Sequence, residues 1–239
     1  MLRLDWIHWR NRFREMGWAL PRNFRPCLGC QSFSREAICA PCLKALEPMK
    51  RGCKRCGNPH VHSDASSCSW CNRLKVLPDY LATPWVYRDK GRDLYHLVKY
   101  QGYWRLLEKL LQDTATVWQP FEEWQKPVLV PIPESLKRKW HRNFNPAHQI
   151  AKILARPQGI PVEALLKIRN FQPPMVGLDY EARRKNARNR FKARIKRRPS
   201  SVILVDDVLT TGATLEAATM ALKKLGVKKV GWFALFRTV

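Results

Sequence analysis

The sequence predicts an α/β domain built on a mostly parallel sheet with flanking helices, preceded by a small cysteine-rich module that folds around metal. Three observations carry this. Apolar, strand-like runs at residues 127–133, 201–208 and 227–236 alternate with segments of helical apolar periodicity, the pattern of βαβ units. All eight cysteines fall between Cys27 and Cys71, in four C-x-x-C pairs. The 239 residues carry 44 Lys and Arg against 19 Asp and Glu, a formal charge of +25.

The charge excludes a basic partner and points to nucleic acid, anionic lipid or phosphorylated small molecules. It is spread over the chain: residues 1–78 carry 14 basic and 5 acidic residues, and residues 79–239 carry 30 and 14. The densest run is Arg183–Arg198, with ten basic side chains and no acid. An apolar fraction of 45% excludes a wholly disordered chain. No apolar run approaches the ~20 residues of a membrane span.

In chain order, residues 1–26 form a basic extension with Trp6, Trp9, Phe13 and Trp18 at near-helical spacing among arginines. Such a helix suits peripheral membrane contact, nucleic acid, or packing against its own protein. It has no uninterrupted apolar segment before a cleavage site, which predicts a cytoplasmic, reducing setting. There, cysteine pairs read as metal ligands rather than disulfides.

Residues 27–76 form the zinc module. Two C-x-x-C pairs fill the four positions of a tetrahedral zinc, so eight cysteines make two structural sites. Sequential pairing uses Cys27, Cys30, Cys39 and Cys42, then Cys53, Cys56, Cys68 and Cys71; cross-braced pairing is the alternative. Gly29 and Gly57 supply permissive backbone for the knuckle turns. His60 and His62 read as loop residues.

The third region is residues 79–239. Tyr80–Tyr87 reads as a strand that Pro84 places at a sheet edge. Asp93–Tyr100 and Trp104–Trp118 read as helices, the second with Leu106, Leu107, Leu110, Leu111 and Ala115 on its apolar face. A helix around Asn145–Ala155 and a strand near Val162–Ile168 follow. Residues 170–200 are basic and partly loop. Thr214–Leu225 is helical, with Gly226 as its stop signal.

The chemistry concentrates in VILVDDVLTTGAT, residues 202–214. A buried strand delivers two adjacent carboxylates, Asp206 and Asp207, to its carboxyl end, where open α/β sheets bind ligands. A hydroxyl-rich loop then opens into a helix, a ready site for an anion. Thr210, Thr211 and Thr214 offer hydroxyls, and Gly212 allows close backbone approach. The carboxylates suit vicinal hydroxyls or hydrated magnesium. Together these parts fit a phosphorylated sugar. The simpler alternative makes Thr214 an ordinary N-cap.

This stretch resembles the phosphoribosyl pyrophosphate (PRPP) signature of type I phosphoribosyltransferases. The resemblance implies that fold for residues 79–239. It also implies that Asp206 and Asp207 hold the ribose hydroxyls, as the catalytic candidates, while Thr210, Thr211, Gly212, Ala213 and Thr214 cradle the 5′-phosphate. The order of C-x-x-C pairs, LVKYQGYW (97–104), VPIPESLKRKWHRNFN (130–145), RRKNARNRF (183–191) and this loop is similar to the ComF/GntX family of competence and DNA-utilisation proteins. That family usually has Arg-Gly-Phe-Asn-Gln where this chain has Arg142, Asn143, Phe144, Asn145 and Pro146.

The resemblance implies a protein of DNA uptake or utilisation, with single-stranded DNA, PRPP and other DNA-uptake proteins as partners, and magnesium accompanying PRPP. The alternative is an active phosphoribosyltransferase with an unidentified acceptor. Lys137, Arg138, Arg142, Arg183, Arg184 and Lys185 are candidates for pyrophosphate or DNA phosphate.

Overall fold

The computed structural model describes residues 25–50, 53, 56, 58, 68–112, 124, 127–134, 144–169, 190–194 and 199–239. The N-terminal amphipathic segment, His60 and His62, and the candidates Lys137, Arg138, Arg142, Arg183, Arg184 and Lys185 lie outside these residues. The chain falls into two compact units, one ending at Lys44 and one from Ala45 to Val239.

The first unit holds β1 (Arg25–Pro26), β2 (Phe33–Ser34) and α1 (Ala40–Lys44). β1 and β2 pair antiparallel, Arg25 opposite Ser34 and Pro26 opposite Phe33. Between them the chain turns tightly: Cys27 N–H donates to Ser32 O at 2.8 Å, and Gln31 N–H donates to Cys27 O at 2.8 Å. The left-handed residue of this turn is Gln31, φ 65°, and not Gly29 as the sequence suggests. Gly29 instead directs its N–H to Cys27 Sγ at 3.3 Å.

The second unit begins with α2 (Ser69–Arg73), β3 (Tyr80–Ala82), β4 (Trp85–Val86), α3 (Asp89–Gln101) and α4 (Leu106–Leu111). It continues with β5 (Val128–Pro131), α5 (Pro146–Gln158), β6 (Leu166–Ile168), β7 (Phe191–Ala193), β8 (Ser201–Leu209), α6 (Ala213–Lys223) and β9 (Lys229–Arg237). The central sheet has the order β3-β9-β8-β5, with β4 also on β9. Every pairing in it is parallel. Val202–Val205 and Val230–Phe236 are buried without interruption, as parallel strands covered on both faces must be. The strand read over Tyr80–Tyr87 divides into β3 and β4, both on β9 at the sheet's end. The strand read near Val162–Ile168 is shorter, and β6 joins β7 in a separate antiparallel ribbon.

Local chemistry places the helices. Asn145 caps α5, its Oδ1 accepting from His148 N–H at 3.3 Å, with Pro146 at the start of the first turn. Its Nδ2 donates to Ile132 O at 2.9 Å, fastening that helix to the end of β5. In α6, Thr219 donates to Leu215 O at 2.8 Å and accepts from Trp232 Nε1 at 2.7 Å, so a fully buried hydroxyl and indole satisfy each other. Among the described residues no helix is long and apolar enough to cross a membrane.

Candidate functional site

β8 does not stop at its carboxylates. It runs on to Leu209, because β9 pairs with it through Leu209↔Arg237. β5, on the other side, ends at Pro131 opposite Val205. From Asp206 onward β8 therefore has a strand neighbour on one side only. The vacated side is a cleft of about 490 Å³ at the carboxyl end of parallel strands, where open α/β sheets take their ligands. Asp206, Asp207 and Thr214 line it, with Asn145 from α5 and Lys99 from α3. Arg190, just before β7, also faces it.

The two carboxylates differ. Burial raises Asp206 well above the usual carboxylate range, and the charge of Asp207 beside it raises it further. Burial pushes Asp207 up as well, but the Lys99 ammonium and then the Tyr95 hydroxyl outweigh it and hold Asp207 below that range. Lys99 Nζ lies 3.2 Å from Asp207 Oδ2, and the Tyr95 hydroxyl donates to the same oxygen at 2.5 Å. Tyr95 and Lys99 are one helical turn apart on α3, so they reach one oxygen together. Lys99 Nζ also stands 4.6 Å from the Tyr95 ring centroid. The site thus sets an ionised carboxylate beside one that favours its neutral form.

The loop after β8 opens α6. Thr210, Thr211 and Ala213 stand exposed, and Thr214 is half-buried at the cleft. The residue preceding the helix is Gly212, φ 81°, with no side-chain cap, so Thr214 is not an N-cap. The first N–H groups of α6 are left with partial positive charge for an anion. Gly212 is required twice over: its φ suits glycine, and a Cβ there would meet the Trp70 ring at 2.9 Å.

Trp70 lies in α2, between Cys68 and Cys71. Cys53, Cys56, Cys68 and Cys71 bring their sulfurs within 4.8 Å of one another, as do Cys27, Cys30, Cys39 and Cys42. The grouping is sequential, not cross-braced. Sulfurs 2.3 Å from a tetrahedral zinc stand about 3.8 Å apart. Here Cys53–Cys71 and Cys68–Cys71 are 3.8 Å apart and Cys56–Cys68 3.5 Å, and in the first cluster Cys30–Cys39 is 3.6 Å. None of the eight is in a disulfide. The Ser32 hydroxyl, followed by its backbone, pulls Cys30 down to about 6. Burial pushes Cys68 up, but the Cys71 N–H and the Asn58 side chain bring it down to about 6. Burial pushes Cys42 and Cys56 up, so the spacing of the sulfurs, rather than their acidity, is what suits both clusters to zinc.

The second cluster is joined to the loop's foundations. Glu216 in α6, 5% exposed, accepts from Lys75 N–H at 2.5 Å and Val76 N–H at 3.3 Å. Arg237, 2% exposed, donates to Cys56 O and covers the Trp70 ring at 4.7 Å. Trp70, Tyr95, Lys99 and Arg190 have no individual role legible in the sequence. Their available signals were slight: i, i+4 spacing for Tyr95 and Lys99, and membership of a basic run for Arg190.

Comparison with known proteins agrees with this architecture. The family profile described as phosphoribosyl transferase domain matches residues 144–238. Competence protein F of Haemophilus influenzae is 27% identical over 226 residues, 90% of this chain and 97% of that protein. Competence protein ComFC of Bacillus subtilis is 27% identical over 85% of each chain. DNA utilization protein YhgH of Escherichia coli K12 is 26% identical over 84% of this chain and 91% of its own. This chain is thus similar along most of its length to competence and DNA-utilisation proteins, and similar over its C-terminal part to phosphoribosyl transferase domains.

Proposed function

We propose that this protein serves DNA uptake or utilisation in the cytoplasm, binding PRPP with magnesium in the cleft and single-stranded DNA on its basic surface. The observation that carries the small-molecule part is the unlike carboxylate pair facing one cleft with Thr214 at the start of α6. The names of the relatives support the DNA part, as does the +25 charge.

In this reading Asp206 and Asp207 take the ribose hydroxyls, and Thr210, Thr211, Gly212, Ala213 and Thr214 take the 5′-phosphate. Lys99 and Arg190 neutralise the pyrophosphate end, helped by Lys137, Arg138, Arg142, Arg183, Arg184 and Lys185. Magnesium lowers the remaining charge. Calorimetry with PRPP and magnesium tests it. Wild type binds, and the double variant Asp206→Asn, Asp207→Asn loses binding; a wild type that fails to bind overturns the reading. The DNA part requires oligonucleotide affinity that falls steeply with salt.

The alternative reading, an active phosphoribosyltransferase, is favoured by Asp207. An anionic carboxylate beside the ribose stabilises the positive charge that grows at C1 as pyrophosphate leaves. Pyrophosphate release on adding nucleobase or amine acceptors, absent from the Asp207→Asn variant, tests this. Other DNA-uptake proteins are proposed as docking partners.

A further inference from the structure

The turn between α3 and α4 has a composition that its own folding does not require. Tyr100 to Arg105 are six consecutive exposed residues, three of them aromatic. Among the described residues five large hydrophobic side chains stand exposed, and three are in this turn: Tyr100 at 67%, Tyr103 at 43% and Trp104 at 37%. Gly102, φ 74°, ends α3 in the left-handed conformation. Trp104 N–H then donates to Gly102 O at 2.8 Å and Tyr103 N–H to Leu97 O at 3.3 Å. Burial on α4 is supplied by Leu106, Leu107, Leu110 and Leu111. The backbone is thus fixed and the core filled without the three rings.

Their neighbours are cationic. The Arg105 guanidinium lies 5.6 Å from the Trp104 ring centroid, and His96 meets the Tyr100 ring edge-on at 5.2 Å. From His96 to Lys109 the chain carries Arg105 and Lys109 against a single carboxylate, Glu108, while Lys99 is paired with Asp207 in the cleft. The exposed rings are two tyrosines and a tryptophan, with no exposed aliphatic residue among them. Tyrosine, tryptophan and arginine also mark protein interfaces, but the net charge of +25 favours a polyanion over a protein surface here. Planar rings among cations match stacked bases joined by phosphates. Tyr100 and Lys99 also line the cleft, so the turn is continuous with it.

We propose that Tyr100, Tyr103 and Trp104 form a base-stacking ledge for single-stranded nucleic acid, which tracks over the α3–α4 turn past the mouth of the cleft. This rests on the DNA-binding part of the proposed function. Each base stacked on an aromatic ring gains about fivefold or more in affinity, so removing two rings weakens binding by more than about tenfold.

The test compares two probes of equal charge on the full chain: an oligothymidylate of about 16 nucleotides and an abasic strand of the same length. Wild type binds the oligothymidylate at least about tenfold more tightly. The variant Tyr103→Ala, Trp104→Ala loses that preference, keeps its affinity for the abasic strand, and keeps the salt dependence of its binding. Trp104→Phe restores most of the preference. Unchanged circular dichroism and zinc content establish that the variant is folded. Equal binding of both probes by wild type, or an unaltered preference in the variant, overturns the ledge and leaves DNA binding intact. Binding of neither probe by wild type removes the DNA-binding reading itself. A variant that loses anionic vesicles while keeping the oligonucleotide preference assigns the rings to membrane and overturns the proposal.

Discussion

The first cysteine cluster lies in the unit ending at Lys44, and the second lies inside the unit that carries the phosphoribosyl transferase domain. Cys30 of the first is exposed and Cys39 half-buried, whereas all four cysteines of the second are buried, none more than 5% exposed. The second cluster belongs to the same apolar core as Val202 and Leu204 of β8 and Leu215 and Ala218 of α6. Similar ligand spacing thus supports two different jobs. The first cluster sits in a short module in which, among the described residues, only Ile38 is buried besides two of its cysteines. The second has become part of the foundation on which the loop after β8 rests, through Trp70, Glu216 and Arg237.

The strongest way to break this comparison is to remove the candidate ligands of each cluster separately. The pair Cys56→Ser, Cys71→Ser and the pair Cys30→Ser, Cys42→Ser should each lower zinc by about one per chain. Only the former should lower the main unfolding transition, by more than ~5 kcal/mol, because structural zinc contributes folding free energy directly. Calorimetry with metal analysis reads both, and equal losses of stability would collapse the distinction.

The contact between cluster and loop can be sharpened at one residue. Gly212→Ala combines a left-handed backbone with a contact to Trp70 at 2.9 Å, and should cost about 2–3 kcal/mol and weaken PRPP binding. Trp70→Ala costs stability of its own, so the comparison is a double-mutant cycle: in that background Gly212→Ala escapes the collision but not the backbone strain, and recovery of its cost is incomplete. Full recovery in thermal melts would refute the role given to φ.

Glu216→Ala leaves Lys75 N–H and Val76 N–H without their acceptor and should cost about 1–3 kcal/mol. Glu216→Gln keeps an acceptor oxygen and should cost less. Urea titration separates the two; equal costs would make Glu216 a packing residue only.

The smallest effect has an unusual sign. Asp206 is raised by burial and by Asp207, so the folded state favours its neutral form. Its contribution is complete below the unfolded value of about 3.9 and is lost as pH rises through the folded value. Asn at this position cannot ionise. Asp206→Asn should therefore gain about 2–4 °C in Tm over wild type at neutral pH, the equivalent of about 1 kcal/mol, and gain nothing at pH 3. The PRPP binding proposed for the cleft should fall all the same. Matching melting curves at both pH values would count against a strained carboxylate.

Much of this was legible along the chain. The buried run into Asp206 and Asp207, the hydroxyl loop and the cysteine pairs are patterns of neighbours, and neighbours obey period and spacing. Arg237 was not legible, since its position at the end of an apolar strand gives no hint of Cys56 or Trp70. The first knuckle shows the same limit on a small scale. A glycine was expected at the left-handed position, but the hydrogen bonds from Cys27 and Gln31 place Gln31 there instead.

By itself, the sequence determined the α/β plan, the two four-cysteine clusters and the acidic pair before a helix, because each follows from local periodicity or spacing. Only the tertiary structure decided which residues share the cleft and what supports its loop. β5 ends at Pro131 while β8 continues to Leu209, which opens the cleft, and α3 brings Tyr95 and Lys99 to Asp207 from more than a hundred residues away in sequence. Trp70 likewise meets Gly212 only because the second cluster is packed into the core. Such contacts arise from the lengths of paired strands and the faces that helices bury, and no local pattern records them.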